Sequence, residues 1–128
     1  MTYCHSRTIA QSFEEAILAV TEALKKEGFG ILSQINITDK LKEKLGVEFK
    51  KYVILGACNP PLAYKALQLE DKIGVMLPCN VIVHETDSDE VEIASIDPIA
   101  SMATVGNSAL LPIAQEVSKK LKNAINAV

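Results

Sequence analysis

Two cysteine-asparagine dipeptides are the only concentrated reactive feature of this chain of 128 residues. Cys58-Asn59 is followed by two prolines, and Cys79-Asn80 is preceded by one. A thiol just before a helix N-terminus meets unpaired amides and the helix dipole, which lower its pKa and suit a nucleophile or a metal ligand. Cysteine is also among the most buried residue types. The sequence therefore leaves two interpretations of Cys58 open, a reactive thiolate and a small buried side chain.

The two dipeptides are expected to meet if the strands that carry them are neighbours. Cys58 ends one apolar run and Cys79 begins the next, so antiparallel pairing would bring two thiols and two amides together. Such a group suits disulfide exchange, a soft metal or a polar ligand pocket. We therefore take Cys58, Asn59, Cys79 and Asn80 as candidate ligand-binding residues, and Cys58 and Cys79 as candidate catalytic thiols.

Other residue patterns add little chemistry. The spacing of the cysteines matches no zinc signature, and His84 should face away from Cys79 on a regular strand, so we expect no metal site. Asp97 is a third catalytic candidate, as a general base near the thiols, although its place before Pro98 also suits a helix cap. The sequence contains no phosphate-binding glycine loop and no Ser-His-Asp arrangement, and we expect no cofactor.

A capping box begins the first clear helix, because the Ser12 hydroxyl can accept from the helix backbone while Glu15 reaches back to the Ser12 amide. Apolar residues then recur at helical spacing up to Gly28, which ends the helix. Strands are predicted on both sides of this helix, weakly over 2–10 and more clearly over 29–37.

The middle of the chain alternates in the same way. Thr38 is expected to cap a short helix over 39–45. Residues 52–58 are apolar on both alternating faces, which is typical of a central strand covered on both sides or covered on one side by a partner subunit. Asn59 then caps a helix that has proline at its first position and runs to about Glu70.

The last third is predicted as a hairpin and two helices. Strands over 80–86 and 90–97 flank an acidic turn. Asp97 caps a short helix that runs to about Thr104, and a final amphipathic helix begins near Leu110. The order of elements predicts one α/β domain of the α+β type over residues 1–128, with a mainly antiparallel sheet packed in two layers with helices.

Composition restricts the partners. Hydrophobic residues make up 48% of the chain and charged residues 23%, as in an ordinary globular domain. The formal net charge is −3 and the lysines are spread among acids, so nucleic acid is not expected. No apolar run suits a secretory signal or a membrane span, which predicts a cytoplasmic protein with free thiols and no membrane partner.

Several blocks of the sequence resemble the family called domain of unknown function 302. Gly-Ala-Cys-Asn-Pro at 56–60 and Leu-Pro-Cys-Asn at 77–80 carry the resemblance, with further matching blocks at 27–32 and 41–47. The resemblance covers about residues 10–105. It implies a compact α/β domain, often a homodimer, without an established activity, and its signature positions are Cys58, Asn59, Pro60, Cys79 and Asn80.

Three hypotheses about function follow. The first is a small-ligand binding or sensing module whose pocket is lined by the two Cys-Asn pairs and Asp97. The second is a thiol redox protein or enzyme in which Cys58 is the thiolate of low pKa and Cys79 its resolving partner. The third is a structural subunit, expected to be a homodimer, in which the pairs only close buried turns. Whether the protein is an enzyme stays open in the sequence.

Overall fold

The computed structural model describes residues 3–128, and it contains five β-strands and five α-helices. The strands are β1 Cys4–Ile9, β2 Gly30–Asn36, β3 Tyr52–Cys58, β4 Cys79–Glu85 and β5 Val91–Ile96. The helices are α1 Phe13–Lys26, α2 Ile37–Leu45, α3 Pro60–Leu69, α4 Pro98–Ala103 and α5 Leu111–Asn126. Two 3₁₀ turns, Asp71–Met76 and Ser108–Leu110, precede β4 and α5. The prediction of an α+β fold is confirmed; Thr2, at the start of the first predicted strand, lies outside the described residues.

All five strands pair antiparallel in one sheet, in the order β1-β5-β4-β3-β2. The strand predicted to be central, β3, has a partner on each side, but the middle strand is β4. Helices α1 and α5 pack on the sheet and against each other, and α3 contacts α5. The two Cys-Asn dipeptides therefore lie at the same end of neighbouring inner strands.

Local sequence explains most helix starts. Ser12 and Glu15 form the predicted capping box of α1, with both side-chain to backbone hydrogen bonds present. Asn59 and Asp97 cap α3 and α4 through their side-chain oxygens, each just before a proline in the first turn. Proline is favourable there because its missing N–H would have no partner in the helix.

The predicted cap of α2 is wrong. Asn36, not Thr38, caps this helix: its Oδ1 accepts from the Asp39 amide at 3.0 Å, so the helix begins earlier than predicted. The Thr38 hydroxyl instead donates to the Lys50 carbonyl at 2.6 Å and accepts from the Tyr52 amide at 2.9 Å. These two bonds tie α2 to the start of β3, and they involve residues that are distant in sequence.

The two faces of the sheet differ. Side chains that point toward the helices, such as Leu55, Val81 and Ile93, are fully buried. The opposite face carries an apolar row of residues paired across four strands: Ile35, Ile54, Ile82 and Ala94. Helix α2, which contacts β3, has no buried residue, and Leu45 at its end is apolar and exposed. We call this side the open face of the sheet.

No helix within residues 3–128 is both long enough and apolar enough to cross a membrane.

Candidate functional site

A cavity of about 340 Å³ lies where β3 ends and β4 begins. Helix α3 forms one wall, and α5 and α4 close the bottom. The lining is apolar apart from one amide and two thiols, and it contains no charged side chain; it comprises Phe29, Leu32, Ala57, Cys58, Asn59, Leu62, Ala63, Ala66, Leu67, Gly74, Leu77, Pro78, Cys79, Met102, Ile113 and Val117. We call this space the thiol cavity.

The strand register places the two cysteines at the same end of neighbouring strands. Ala57 is paired directly with Cys79 across β3 and β4, so Cys58 is one residue beyond the position opposite Cys79. Both thiols line the thiol cavity and both are free. The register confirms that the strands carrying the two cysteines are antiparallel neighbours, and both residues border the same cavity.

The two thiols lie in different environments. Cys79 is buried, with 7% of its surface exposed, whereas Cys58 is only partly buried. Burial, and secondarily the neighbouring Cys58, raises the pKa of the Cys79 thiol to about 11. Cys79 is therefore protonated at neutral pH and has little nucleophilic character there.

Asn59 is held in place by backbone groups on both sides. Its Oδ1 accepts from the Leu62 amide at 3.5 Å, which caps α3, and its Nδ2 donates to the Glu27 carbonyl at 3.3 Å. The second bond ties the loop after α1 to the start of α3. Since its carbonyl and one N–H are already engaged, Asn59 is a rigid part of the cavity wall.

Gly56 allows a proline to form the other side of this wall. A Cβ built on Gly56 would lie 2.8 Å from Cγ of Pro78 and 2.4 Å from the Ser33 hydroxyl oxygen. Any side chain at Gly56 would therefore displace the proline ring, which lines the thiol cavity. The glycine in the Gly-Ala-Cys-Asn-Pro block is explained by this close packing.

Asn80 does not line the thiol cavity. It follows Cys79 on β4, so its side chain points to the other side of the sheet. There it borders a separate cavity of about 240 Å³, together with Pro78 and Ile96. The two members of the second Cys-Asn pair therefore face different spaces, and the expectation of a pocket with two amides is not met.

Asp97 is also outside the thiol cavity. Its carboxylate accepts from the Ile99 amide at 3.0 Å, and its own amide donates to the Tyr3 carbonyl at 2.8 Å. It therefore acts as a helix cap and is not placed to take a proton from either thiol. His84 faces away from Cys79, as predicted, and its Nε2 lies 2.8 Å from the Glu92 carboxylate.

Sequence reasoning missed most of the cavity lining. Ile113 and Val117 lie on the apolar stripe of the final amphipathic helix, and Met102 lies in the short helix that Asp97 caps. Their apolar spacing indicated burial but could not distinguish a packed core from the wall of a cavity. Within residues 3–128, no group of three or more His, Cys, Asp or Glu side chains is arranged to hold a metal ion.

The known proteins that resemble this chain belong to a family without a described activity. A crystal structure of an uncharacterized conserved protein DUF302 from Bacillus stearothermophilus matches this fold with a TM-score of 0.93 and 30% sequence identity. The match covers 99% of this chain and 98% of that chain. No curated protein matches the chain. The model of the family described as Domain of unknown function DUF302 matches residues 5–128, and the chain belongs to this family.

Proposed function

We propose that this protein binds a small, uncharged, apolar molecule in the thiol cavity. The observation that carries the proposal is the cavity itself, because about 340 Å³ of space with an almost wholly apolar lining adjoins the signature cysteines. Ligand sites of this kind usually measure roughly 300–1,000 Å³ and have few polar groups. An ionised ligand is disfavoured, since the lining offers no countercharge for its desolvation.

The form of the opening supports entry from solvent. Leu32 and Leu67 line the cavity, yet 69% and 40% of their surfaces are exposed. They therefore stand at the rim, and the buried Ala66 and Cys79 lie deeper. A ligand that entered between the two leucines would also cover their exposed apolar surface, which adds to its binding free energy.

The binding test uses the uncharged fluorescent probe N-phenyl-1-naphthylamine. We expect saturable binding of one molecule per chain, with increased probe fluorescence. Ala63→Leu, which adds volume to the cavity wall on α3, should abolish binding, whereas Gln68→Leu places the same side chain on an exposed position of the same helix and should not. Equal binding by both variants, or absence of saturable binding to the wild type, would refute the proposal.

A thiol redox function is the second candidate, favoured by the shared cavity wall of Cys58 and Cys79. In such a reaction the two thiols would lose two protons and two electrons to form a disulfide, while oxidised glutathione is reduced to two molecules of glutathione. The high pKa of Cys79 counts against it as an attacking thiol. The structural-subunit hypothesis is weakened by the cavity and by the partial exposure of Cys58.

One comparison separates binding from redox chemistry. The double variant Cys58→Ala, Cys79→Ala should bind the naphthylamine probe as the wild type does, because the proposal uses the thiols only as part of the apolar wall. Reduced wild type equilibrated with glutathione buffers should retain Cys58 and Cys79 as free thiols by mass spectrometry of its peptides. Formation of a Cys58–Cys79 disulfide at the glutathione redox potential of the cytosol would favour the redox function instead.

We further propose that the chain acts as a homodimer in the cytoplasm. The free cysteines suit a reducing compartment. The open face supports self-association, since antiparallel sheets that face water normally carry polar side chains there, whereas Ile35, Ile54 and Ile82 lie side by side. A second copy brings a matching apolar face, as a two-fold interface requires.

Sedimentation measures this association. We expect the wild type to sediment as a dimer and Ile54→Lys as a folded monomer, because a lysine in the apolar row would be desolvated in the dimer. Leu18→Lys changes a leucine of α1 that is 70% exposed, away from the sheet, and should remain dimeric. A wild type that sediments as a monomer would contradict the homodimer.

A further inference from the structure

A second apolar cavity lies beside the thiol cavity. It measures about 350 Å³ and occupies the space between α4 and the start of α5; its lining residues include Ile99, Ala103, Leu110, Leu111 and Ala114. It has no charged side chain in its lining. We call it the helix cavity.

Met102 separates the two cavities. Among residues 3–128 it alone lines both of them, and only 6% of its surface is exposed. The two cavities also follow each other along α5, since Ala114 borders the helix cavity while Ile113 and Val117 border the thiol cavity. Met102 of α4 therefore stands where the linings of the two cavities meet.

A methionine side chain can change its conformation easily. Its unbranched side chain has three rotatable bonds and adapts to irregular spaces, so it can turn aside without movement of the backbone. Either cavity alone is close to the lower limit of roughly 300 Å³ for ligand sites, whereas both together fall well inside the usual range.

We propose that the two cavities form one elongated site for an unbranched alkyl or acyl chain, which passes Met102 as it extends from the thiol cavity into the helix cavity. The inference rests on the ligand binding proposed for the thiol cavity. A flexible linear chain suits two apolar cavities whose linings share one flexible side chain. The polar end of such a ligand would remain at a mouth of the site, because the Asn107 amide is already bonded to the Leu69 carbonyl at 3.0 Å and accepts from the Ala109 amide at 3.1 Å.

The test is displacement of N-phenyl-1-naphthylamine by 1-hexanol, 1-octanol, 1-decanol and 1-dodecanol. Each further methylene that enters an apolar site should strengthen binding about fourfold. We expect this gain to continue through the longest alcohols in the wild type. In Ala103→Phe, which fills the helix cavity from a solvent-accessible position, the short alcohols should bind normally and the gain should stop.

Thr104→Phe is the matched control, because it adds the same ring to the neighbouring exposed residue, outside both linings. It should keep the wild-type dependence on chain length. If 1-hexanol displaces the probe and longer alcohols bind no more tightly, the elongated site is refuted while binding in the thiol cavity stands. An unchanged chain-length dependence in Ala103→Phe would also refute it. If neither the probe nor any alcohol binds, both proposals fail.

Discussion

Asn59 joins the backbone of Glu27 to the N-terminus of α3: its Nδ2 donates to the Glu27 carbonyl at 3.3 Å, while its Oδ1 caps α3. One amide thus joins the loop after α1 to the strand-helix junction that carries Cys58. This arrangement explains why a side chain with both a donor and an acceptor follows the first signature cysteine.

Asn59→Ala should lower the free energy of unfolding by about 2–3 kcal/mol, since it removes a helix cap and a second hydrogen bond. Asn59→Ser should cost only about 1 kcal/mol, because serine can cap the helix but is too short to reach Glu27. Urea unfolding measures both values. Equal losses in the two variants would show that the cap contributes nothing.

Alanine substitutions at Gly28 and Gly46 distinguish the cost of backbone strain from the cost of steric crowding. Both have positive φ, at 87° and 66°. A Cβ on Gly28 would lie 3.0 Å from Nδ2 of Asn59, while a Cβ on Gly46 would meet nothing within 4 Å. Gly46→Ala should cost about 1 kcal/mol from backbone strain, and Gly28→Ala about 1 kcal/mol more. In the Asn59→Ala background the two costs should become equal; a persistent difference would contradict this explanation.

Ser95→Ala should stabilise the protein. Ser95 is 2% exposed, and its hydroxyl is the one buried side-chain polar atom without a hydrogen-bond partner within residues 3–128. An unsatisfied buried hydroxyl costs about 1–3 kcal/mol, so its removal should raise the free energy of unfolding by about 1 kcal/mol. Ser6→Ala, on the exposed side of β1, should change stability by less than about 0.5 kcal/mol. A loss of stability in Ser95→Ala would disprove the assignment.

Cys79 should make the protein less stable in alkali. Burial raises its pKa from an ordinary value of 9.0 to about 11, so below pH 9 the thiol is protonated in both the folded and the unfolded chain. As the pH rises from 9 through 11, the unfolded chain loses the proton first, and the free energy of unfolding falls by about 2–3 kcal/mol. Reduced Cys79→Ala should lack this part of the loss between pH 8 and 10.5. Identical pH profiles would contradict the raised pKa.

Arg7 should stabilise the end of α5. Its guanidinium Nη1 donates to the carbonyl oxygens of Asn126 at 2.8 Å and Ile125 at 3.3 Å. These carbonyls carry the negative end of the helix dipole, so Arg7→Ala should cost about 1 kcal/mol. Arg7→Lys should recover part of this, because it restores the charge without the planar donor geometry. Amide hydrogen exchange in the last turn of α5 should be faster in Arg7→Ala than in the wild type, and Arg7→Lys should show a smaller increase.

Local sequence patterns predicted the helices and strands, whereas contacts between residues distant in sequence determine the candidate site. The capping box of Ser12 and the Pro60 helix start could be recognised because their bonds span only a few residues. Thr38 was assigned wrongly because its hydroxyl bonds to Lys50 and Tyr52, which no local pattern reveals. Side chains alternate between the two faces of a strand, and this rule predicted that His84 faces away from Cys79. The same rule places Asn80 on the opposite face from Cys79. The expectation of one pocket for both Cys-Asn pairs did not apply this rule to Asn80.

Pro78 touches both sides of the sheet. It replaces the side chain that Gly56 lacks, it lines the thiol cavity, and it borders the cavity that Asn80 and Ile96 form on the open face. Leu77, the residue before it, also borders both cavities. We expect a partner on the open face and a ligand in the thiol cavity to contact the same ring, so that a shift of the ring caused by one would change the affinity of the other, by the same factor in both directions.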